Sequence, residues 1–353
     1  MPPRKRNKEN KHLPPYWRHR YGAYYIQVPK HLRHKWDGKA EFRLGKTLDE
    51  AYKAYFERLE FTGSDYRIMS DVFERYLLEH IPTLSPGGQS DYKASIRRLY
   101  PVFGKMKPYH IKPAHAYEYH DKCSNARGNT TAKHDVGVLR HTLTMCVKWG
   151  VVDRNPILGQ VRIQNNPPRD RLVEDWEIAE LMKVTGNQKR PIELLQCYIE
   201  LKLMTGLRRK DILDLTLDNL RDDGIHVQPS KTKKSSGKRL IIQWDEDGDL
   251  DALVKRIKKI KPQRIGNAHL FTTVKGRAYG KNSFDSLWQR FMDRAMQQTK
   301  ITDRFQERDL RAKVASDSDS LIEASERLGH ASTETTKRVY RRRPVSVLPL
   351  KRK

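Results

Sequence analysis

The run Gln164-Asn165-Asn166-Pro167-Pro168-Arg169-Asp170-Arg171 is polar, holds two successive prolines and follows neither a helical nor a strand period. Proline supplies no amide donor and pushes its predecessor out of the helical region, so this stretch reads as a linker. A chain of 353 residues interrupted near its middle must build more than one core. Each side is therefore read separately.

Charge narrows the class. Seventy Lys and Arg stand against 43 Asp and Glu, a formal charge of +27. That excess calls for a polyanion, nucleic acid first and an anionic membrane surface second. Apolar residues at 37% and aromatics at 9% exclude a wholly disordered chain. No stretch approaches ~18 uninterrupted apolar residues, which removes a membrane span. The opening MPPRKRNKENKH has no apolar centre, so no secretory signal is expected. Cys123, Cys146 and Cys197 form no Cys-x-x-Cys pair, which argues against a disulfide scaffold or structural zinc and for the reducing cytoplasm.

The pattern predicts three domains: 1–65, 66–165 and 166–353. In the first, a solvated basic arm with Arg4, Lys5 and Arg6 precedes two aromatic, β-branched bursts, Tyr21–Val28 and Ala40–Leu44, expected as strands. Thr47 and Glu50 have the spacing of a capping box, and Leu48, Ala51, Tyr55 and Leu59 follow at helical intervals. The second domain reads as helical. Val72, Phe73, Tyr76 and Leu77 begin one helix, which Ser85-Pro86-Gly87-Gly88 is expected to break; Thr130–Trp149 forms another, stopped by Gly150. Arg97, Arg98, Lys133 and Arg140 on these helices are candidate DNA contacts. In the third, a helix starts near Glu174 and residues 191–215 are largely helical. Ile225–Val227 and Arg239–Ile242 are strands joined by the basic hairpin Lys231-Thr232-Lys233-Lys234-Ser235-Ser236-Gly237, and helices resume from Leu287. The fold class expected is multidomain and mainly α, with small β-sheets.

Routine catalytic patterns are missing. Gly45-Lys46-Thr47 ends like a phosphate-binding loop, but the glycine required five positions earlier is Ala40. No Asp, Glu or His cluster has metal-ligand spacing, so no metal site is assigned. The last third instead offers positive charge and a nucleophile. Arg208 follows a glycine turn in Thr205-Gly206-Leu207-Arg208-Arg209-Lys210-Asp211, and Asp211 lies three residues on, close enough to orient it. Lys231 opens the hairpin, with Lys233 and Lys234 beside it. Arg308 and Arg311 stand at i and i+3, His330 ends Leu328-Gly329-His330, and Tyr340 closes the series.

In that order, TGLRRKDILDL, SKTKK, RDLRAKVASD and LGHASTETTKRVY resemble the active-site signature of the tyrosine recombinases, the phage integrase family. The amino-terminal GAYYIQV and LGKTLDEA resemble the arm-site DNA-binding module of phage integrases, and the helical middle resembles the family's core-binding domain. The resemblance implies a mixed α+β catalytic domain at 166–353 that cleaves and rejoins DNA through a 3′-phosphotyrosine at attachment sites, without cofactor. By resemblance Arg208 and Arg311 clamp the scissile phosphate, Tyr340 attacks and Lys231 protonates the leaving 5′-oxygen. His330 hydrogen-bonds the phosphate in this scheme. The implied partners are duplex attachment-site DNA, a homotetramer on that DNA, and host DNA-bending and phage directionality proteins, with no membrane.

One position departs from the family. Arg308 stands where His is usual; a guanidinium donates to phosphate but stays protonated and shuttles no proton. That substitution keeps open a catalytically impaired DNA-binding relative. A relaxing topoisomerase of the same chemistry is the third reading, although it would not need the amino-terminal module.

Overall fold

The computed structural model describes residues 13, 16–28, 33, 36–58, 68–186, 189–230, 237, 239–260, 268–330, 332–343 and 349. The chain separates into two compact units, Met1–Asn166 and Pro167–Lys353. Helices dominate both, with two three-stranded antiparallel sheets among the described residues. The mainly helical class with small sheets is therefore the observed one.

The first unit opens with β1 (Trp17–Arg20), β2 (Ala23–Gln27) and β3 (Glu41–Gly45), paired in that order. Tyr21 and Gly22, at φ +50° and +65°, make the two-residue turn that joins β1 to β2. Trp17 pairs with Ile26, and both are buried with Trp36, Leu44 and Tyr55. The sequence reading missed β1, because Arg18-His19-Arg20 puts three exposed polar residues in a row. Helix α1 (Leu48–Arg58) starts as expected: Glu50 N donates to Thr47 Oγ1 at 3.2 Å, and Thr47 N donates to Glu50 Oε2 at 3.3 Å.

A bundle follows: α2 (Met69–Arg75), α3 (Pro86–Phe103), α4 (Pro113–Arg127) and α5 (Asn129–Lys148). Ser85-Pro86-Gly87-Gly88 does not simply break a helix, as expected, but begins α3. The Ser85 hydroxyl accepts the Gly88 amide, and Pro86 occupies the first helical position, where its missing N–H costs nothing. Val136, Leu139, Leu143 and Cys146 of α5 line the core with Phe73, Leu99 and Phe103. Gly150, at φ +68°, follows the end of α5.

The second unit contains α6 (Asp175–Met182), α7 (Lys189–Thr205), α8 (Arg209–Leu213), β4 (Leu220–Arg221), β5 (Gly224–Val227) and β6 (Leu240–Gln243). Five helices complete it: α9 (Asp249–Ile260), α10 (Lys281–Gln298), α11 (Glu307–Asp317), α12 (Leu321–Arg327) and the single turn α13 (Thr333–Thr335). Helices thus resume at Asp249, earlier than Leu287. Leu250, Leu253, Val254 and Ile257 bury one side of α9, a stripe hidden in the sequence by flanking aspartates and lysines. Helix α7 runs through the core, with Leu194, Leu195, Tyr198, Ile199 and Leu201 all buried. Among the described residues no helix is long and apolar enough to cross a membrane, and the three cysteines are free and buried.

Candidate active site

The site is built where α7 ends. Thr205 Oγ1 donates to Leu201 O and accepts the Leu207 amide, which turns the chain out of the helix. Gly206 then takes φ +64°, a conformation that L side chains resist, and a Cβ there would meet Leu328 and Val314 at 3.0 and 3.1 Å. The turn delivers Arg208, in extended conformation, to the start of α8. Asp211 is nearly buried: Oδ1 accepts the Ser230 amide at 2.9 Å, and Oδ2 lies 4.0 Å from Arg208 Nη1. One carboxylate therefore steadies Arg208 and the residue that precedes Lys231. Lys231, Lys233 and Lys234 lie outside the described residues, as do Arg4, Lys5 and Arg6.

Helix α11 brings Arg311 against this turn. The side chain is 3% exposed, and its guanidinium donates to Gly206 O and Leu328 O. Nη2 also lies 3.0 Å from His330 Nε2. Burial first, and then the neighbouring Arg208 charge, lower the Arg311 pKa to about 10, with Tyr340 and Asp211 acting in the other direction. Two cations this close in a partly dry site favour an anion between them. Arg308, three residues earlier, is exposed.

Tyr340 reaches the same guanidinium from the carboxyl end. After α13 the chain widens into a π-helical turn, Thr336–Tyr340, closed by the Arg341 amide on Thr336 O at 2.9 Å. Such turns insert one residue into a helix and recur at functional sites. The half-buried Tyr340 ring packs beside Val314, Ala315, Ala324 and Leu328, its centroid 4.9 Å from that of His330 and 5.4 Å from Arg311 Cζ. Ser316 Oγ donates to Tyr340 O and accepts the Arg342 amide. Arg342, 7% exposed in its side chain, donates to Asp309 Oδ1 at 2.7 Å.

Arg208, Asp211, Arg311, His330 and Tyr340 thus meet, although they come from separated motifs. The sequence reading missed Thr336, Lys202, Glu307, Asp309 and Arg342, which hold them. Thr336 Oγ1 lies 2.7 Å from His330 Nδ1, and Lys202 Nζ lies 2.5 Å from Glu307 Oε1. A lysine inside the apolar pattern of α7 was the one visible signal.

The candidate DNA contacts of the first unit divide differently. Arg97 is exposed. Arg98 is not a free surface cation: its Nε and Nη2 donate to the fully buried Asp135 at 2.7 and 2.6 Å, and Tyr119 OH donates to the same carboxylate. Lys133 donates to Ile163 O and Asn165 Oδ1, and Arg140 donates to Val161 O, so both fasten the segment after α5. No group of three or more His, Cys, Asp or Glu suited to a metal occurs among the described residues.

Residues 171–345 match the phage integrase family, and the second unit is a domain of that family, the tyrosine recombinases. Solved structures similar in fold include a lambda integrase tetramer bound to a Holliday junction, at TM-score 0.65 and 18% identity, covering 98% of this chain and 100% of that one. A lambda integrase dimer bound to a COC' core site gives 0.64 and 17% over the same shares of the two chains. The Tn1549 transposon integrase with transposon right end DNA gives 0.63 and 14%, over 76% of this chain and 93% of that one. No curated protein sequence matches.

Proposed function

We propose that this chain is a site-specific DNA recombinase of the phage integrase kind, cleaving and rejoining strands through a 3′-phosphotyrosine. The observation that carries the reading is the meeting of Arg208, Arg311, His330 and Tyr340 in one partly buried cationic cluster. In this reading Arg208 and Arg311 hold the non-bridging oxygens of the scissile phosphate and stabilise the phosphorane, as preorganised charged donors do. Tyr340 attacks phosphorus, the bond to the 5′-oxygen breaks, and Lys231 gives that oxygen a proton. Asp211 orients Arg208. The covalent intermediate keeps the energy of the broken bond, so rejoining needs no cofactor.

Duplex attachment-site DNA is the partner, with residues 1–65 on arm sites and 66–165 on the core site. A homotetramer, helped by DNA-bending and directionality proteins in the bacterial cytoplasm, is the expected assembly. Likeness to both a phage and a transposon integrase supports the chemistry and leaves the mobile element itself to experiment.

To test the reading, full-length protein is mixed with random-sequence duplexes and quenched in detergent. Adducts that converge on one sequence, with protein on a 3′ end, are expected. Tight binding without any adduct at saturating protein would leave the impaired DNA-binding relative in its place.

A further inference from the structure

His330 is 8% exposed and has a defined partner at each ring nitrogen. Arg311 Nη2, 3.0 Å from Nε2, is only ever a donor, so Nε2 must be the unprotonated, accepting nitrogen. The ring proton of the neutral imidazole is then on Nδ1, which donates to Thr336 Oγ1 at 2.7 Å. Thr336 is 0% exposed, and its carbonyl closes the π-helical turn that carries Tyr340. Arg311 therefore fixes the histidine tautomer, while Thr336 accepts the Nδ1 hydrogen bond and its carbonyl closes the turn that seats the phenol. The Tyr340 ring faces the same imidazole, and Arg308 offers no lone pair in the position where the family usually has histidine.

We propose that His330 is the general base for Tyr340 and that Thr336 is its positioning residue; the proposal rests on the recombinase reading above. A phosphate seated on Arg208 and Arg311 competes for the Nη2 hydrogen and leaves the Nε2 lone pair beside the phenol. The Tyr340 O–H bond breaks as an N–H bond forms at Nε2, and the phenolate oxygen bonds to phosphorus. The P–O5′ bond breaks and its electron pair leaves with the 5′-oxygen, protonated by Lys231. Rejoining runs the same transfers backward, so protons balance over the cycle. Arg311 from α11 contacts His330, and Arg208 from the Gly206 turn and Asp211 from α8 act electrostatically on that guanidinium. The negative charge brought by the phosphate offsets the imidazolium formed beside the two arginines.

The experiment uses full-length protein and the recovered cleavage sequence, synthesised with sulfur as the 5′-bridging atom at the scissile position. A thiolate leaves without needing a proton, so Lys231 no longer shapes the pH profile. The first-order trapping rate at saturating protein is followed across about pH 5.5–8, the histidine range. The parent is expected to gain about tenfold per pH unit on an acid limb before levelling, as a required base does. His330→Gln should lose at least ~100-fold and the limb itself, with DNA affinity retained. Thr336→Val should lower the plateau and displace the limb at unchanged affinity, and Thr336→Ser should restore both. An acid limb that persists in His330→Gln, or a parental profile in Thr336→Val, overturns the assignment. A parent that traps no sulfur-substituted DNA removes the recombinase reading and the assignment with it; trapping that is flat with pH removes the assignment alone.

Discussion

Lys202 and Glu307 form a buried ion pair of 2.5 Å, directly behind the two arginine motifs. Lys202 also donates to Leu207 O, in the turn that carries Arg208, while Glu307 opens the helix that carries Arg311 and accepts from Tyr198 OH. Burial lowers the Lys202 pKa and Glu307 opposes it. The pair clamps one motif to the other. Removing one partner of such a pair strands a charge, at a cost of about 3–5 kcal/mol. Lys202→Met should therefore lower the denaturation midpoint of the second unit sharply, and adding Glu307→Leu should recover much of the loss. A single variant as stable as the parent would show that the pair does not hold the motifs.

Asp309 is fully buried and holds three partners: the Gln306 amide at the start of α11, Arg342 Nη1 just past Tyr340, and Arg169 Nη2 ahead of α6. The segment entering the unit and the segment leaving it after Tyr340 thus share one carboxylate. Asp309→Asn should speed tryptic cutting after Arg341, Arg342 and Arg343 by about tenfold or more, since buried charge pairs are worth several kcal/mol. It should also reduce covalent trapping. Cutting at the parental rate would show that Asp309 does not tether the Tyr340 segment.

Arg308 is exposed beside the buried Arg311, which suits a cation awaiting a phosphate. Arg308→Ala should slow cleavage at saturating protein by about 10- to 100-fold, the worth of a charged hydrogen bond of ~1.5–3 kcal/mol. It should leave the acid limb of the pH profile in place, because the base lies elsewhere. A parental cleavage rate would put Arg308 outside the active site.

In the helical bundle, burial raises the Asp135 pKa, but hydrogen bonds from Arg98, Ser95 and Tyr119 together outweigh it and hold the group below its usual value. A carboxyl with a depressed folded pKa adds stability that is present above its unfolded value, about 3.9, and lost as pH falls through the folded one. Amide protection in α5, measured against the intrinsic exchange rate at each pH, should therefore fall on acidification below about pH 4 in the parent. Asp135→Asn should exchange faster at neutral pH and lose much of that acid dependence. Identical acid profiles would show that Asp135 does not couple protonation to the bundle.

Arg208, Arg311, His330 and Tyr340, which the fold brings together, stand out from the amino-acid sequence alone because they lie in distinct motifs in a fixed order. Local rules also carried far: the Thr47 and Glu50 cap, strand β2 and the end of α5 at Gly150 follow from nearest neighbours. Properties that join distant segments did not show. Arg98, Lys133 and Arg140 read as surface cations, since nothing near them in sequence reveals Asp135 or the carbonyls of 161–163. Asp309 and Thr336 were invisible for the same reason, and Lys202 showed only as a lysine inside an apolar helix: each is fixed by a partner or a turn that only the folded chain supplies.

The proposed recombination requires Tyr340 to become joined to a DNA 3′-phosphate. The most direct measurement is tandem mass spectrometry of the nucleotide-bearing peptide from the detergent-trapped adduct, run beside the Tyr340→Phe variant on the same DNA. The predicted result is a single modified residue, Tyr340, and no adduct in the variant, which still binds that DNA. A nucleotide on any other residue, or an adduct that survives Tyr340→Phe, would contradict it.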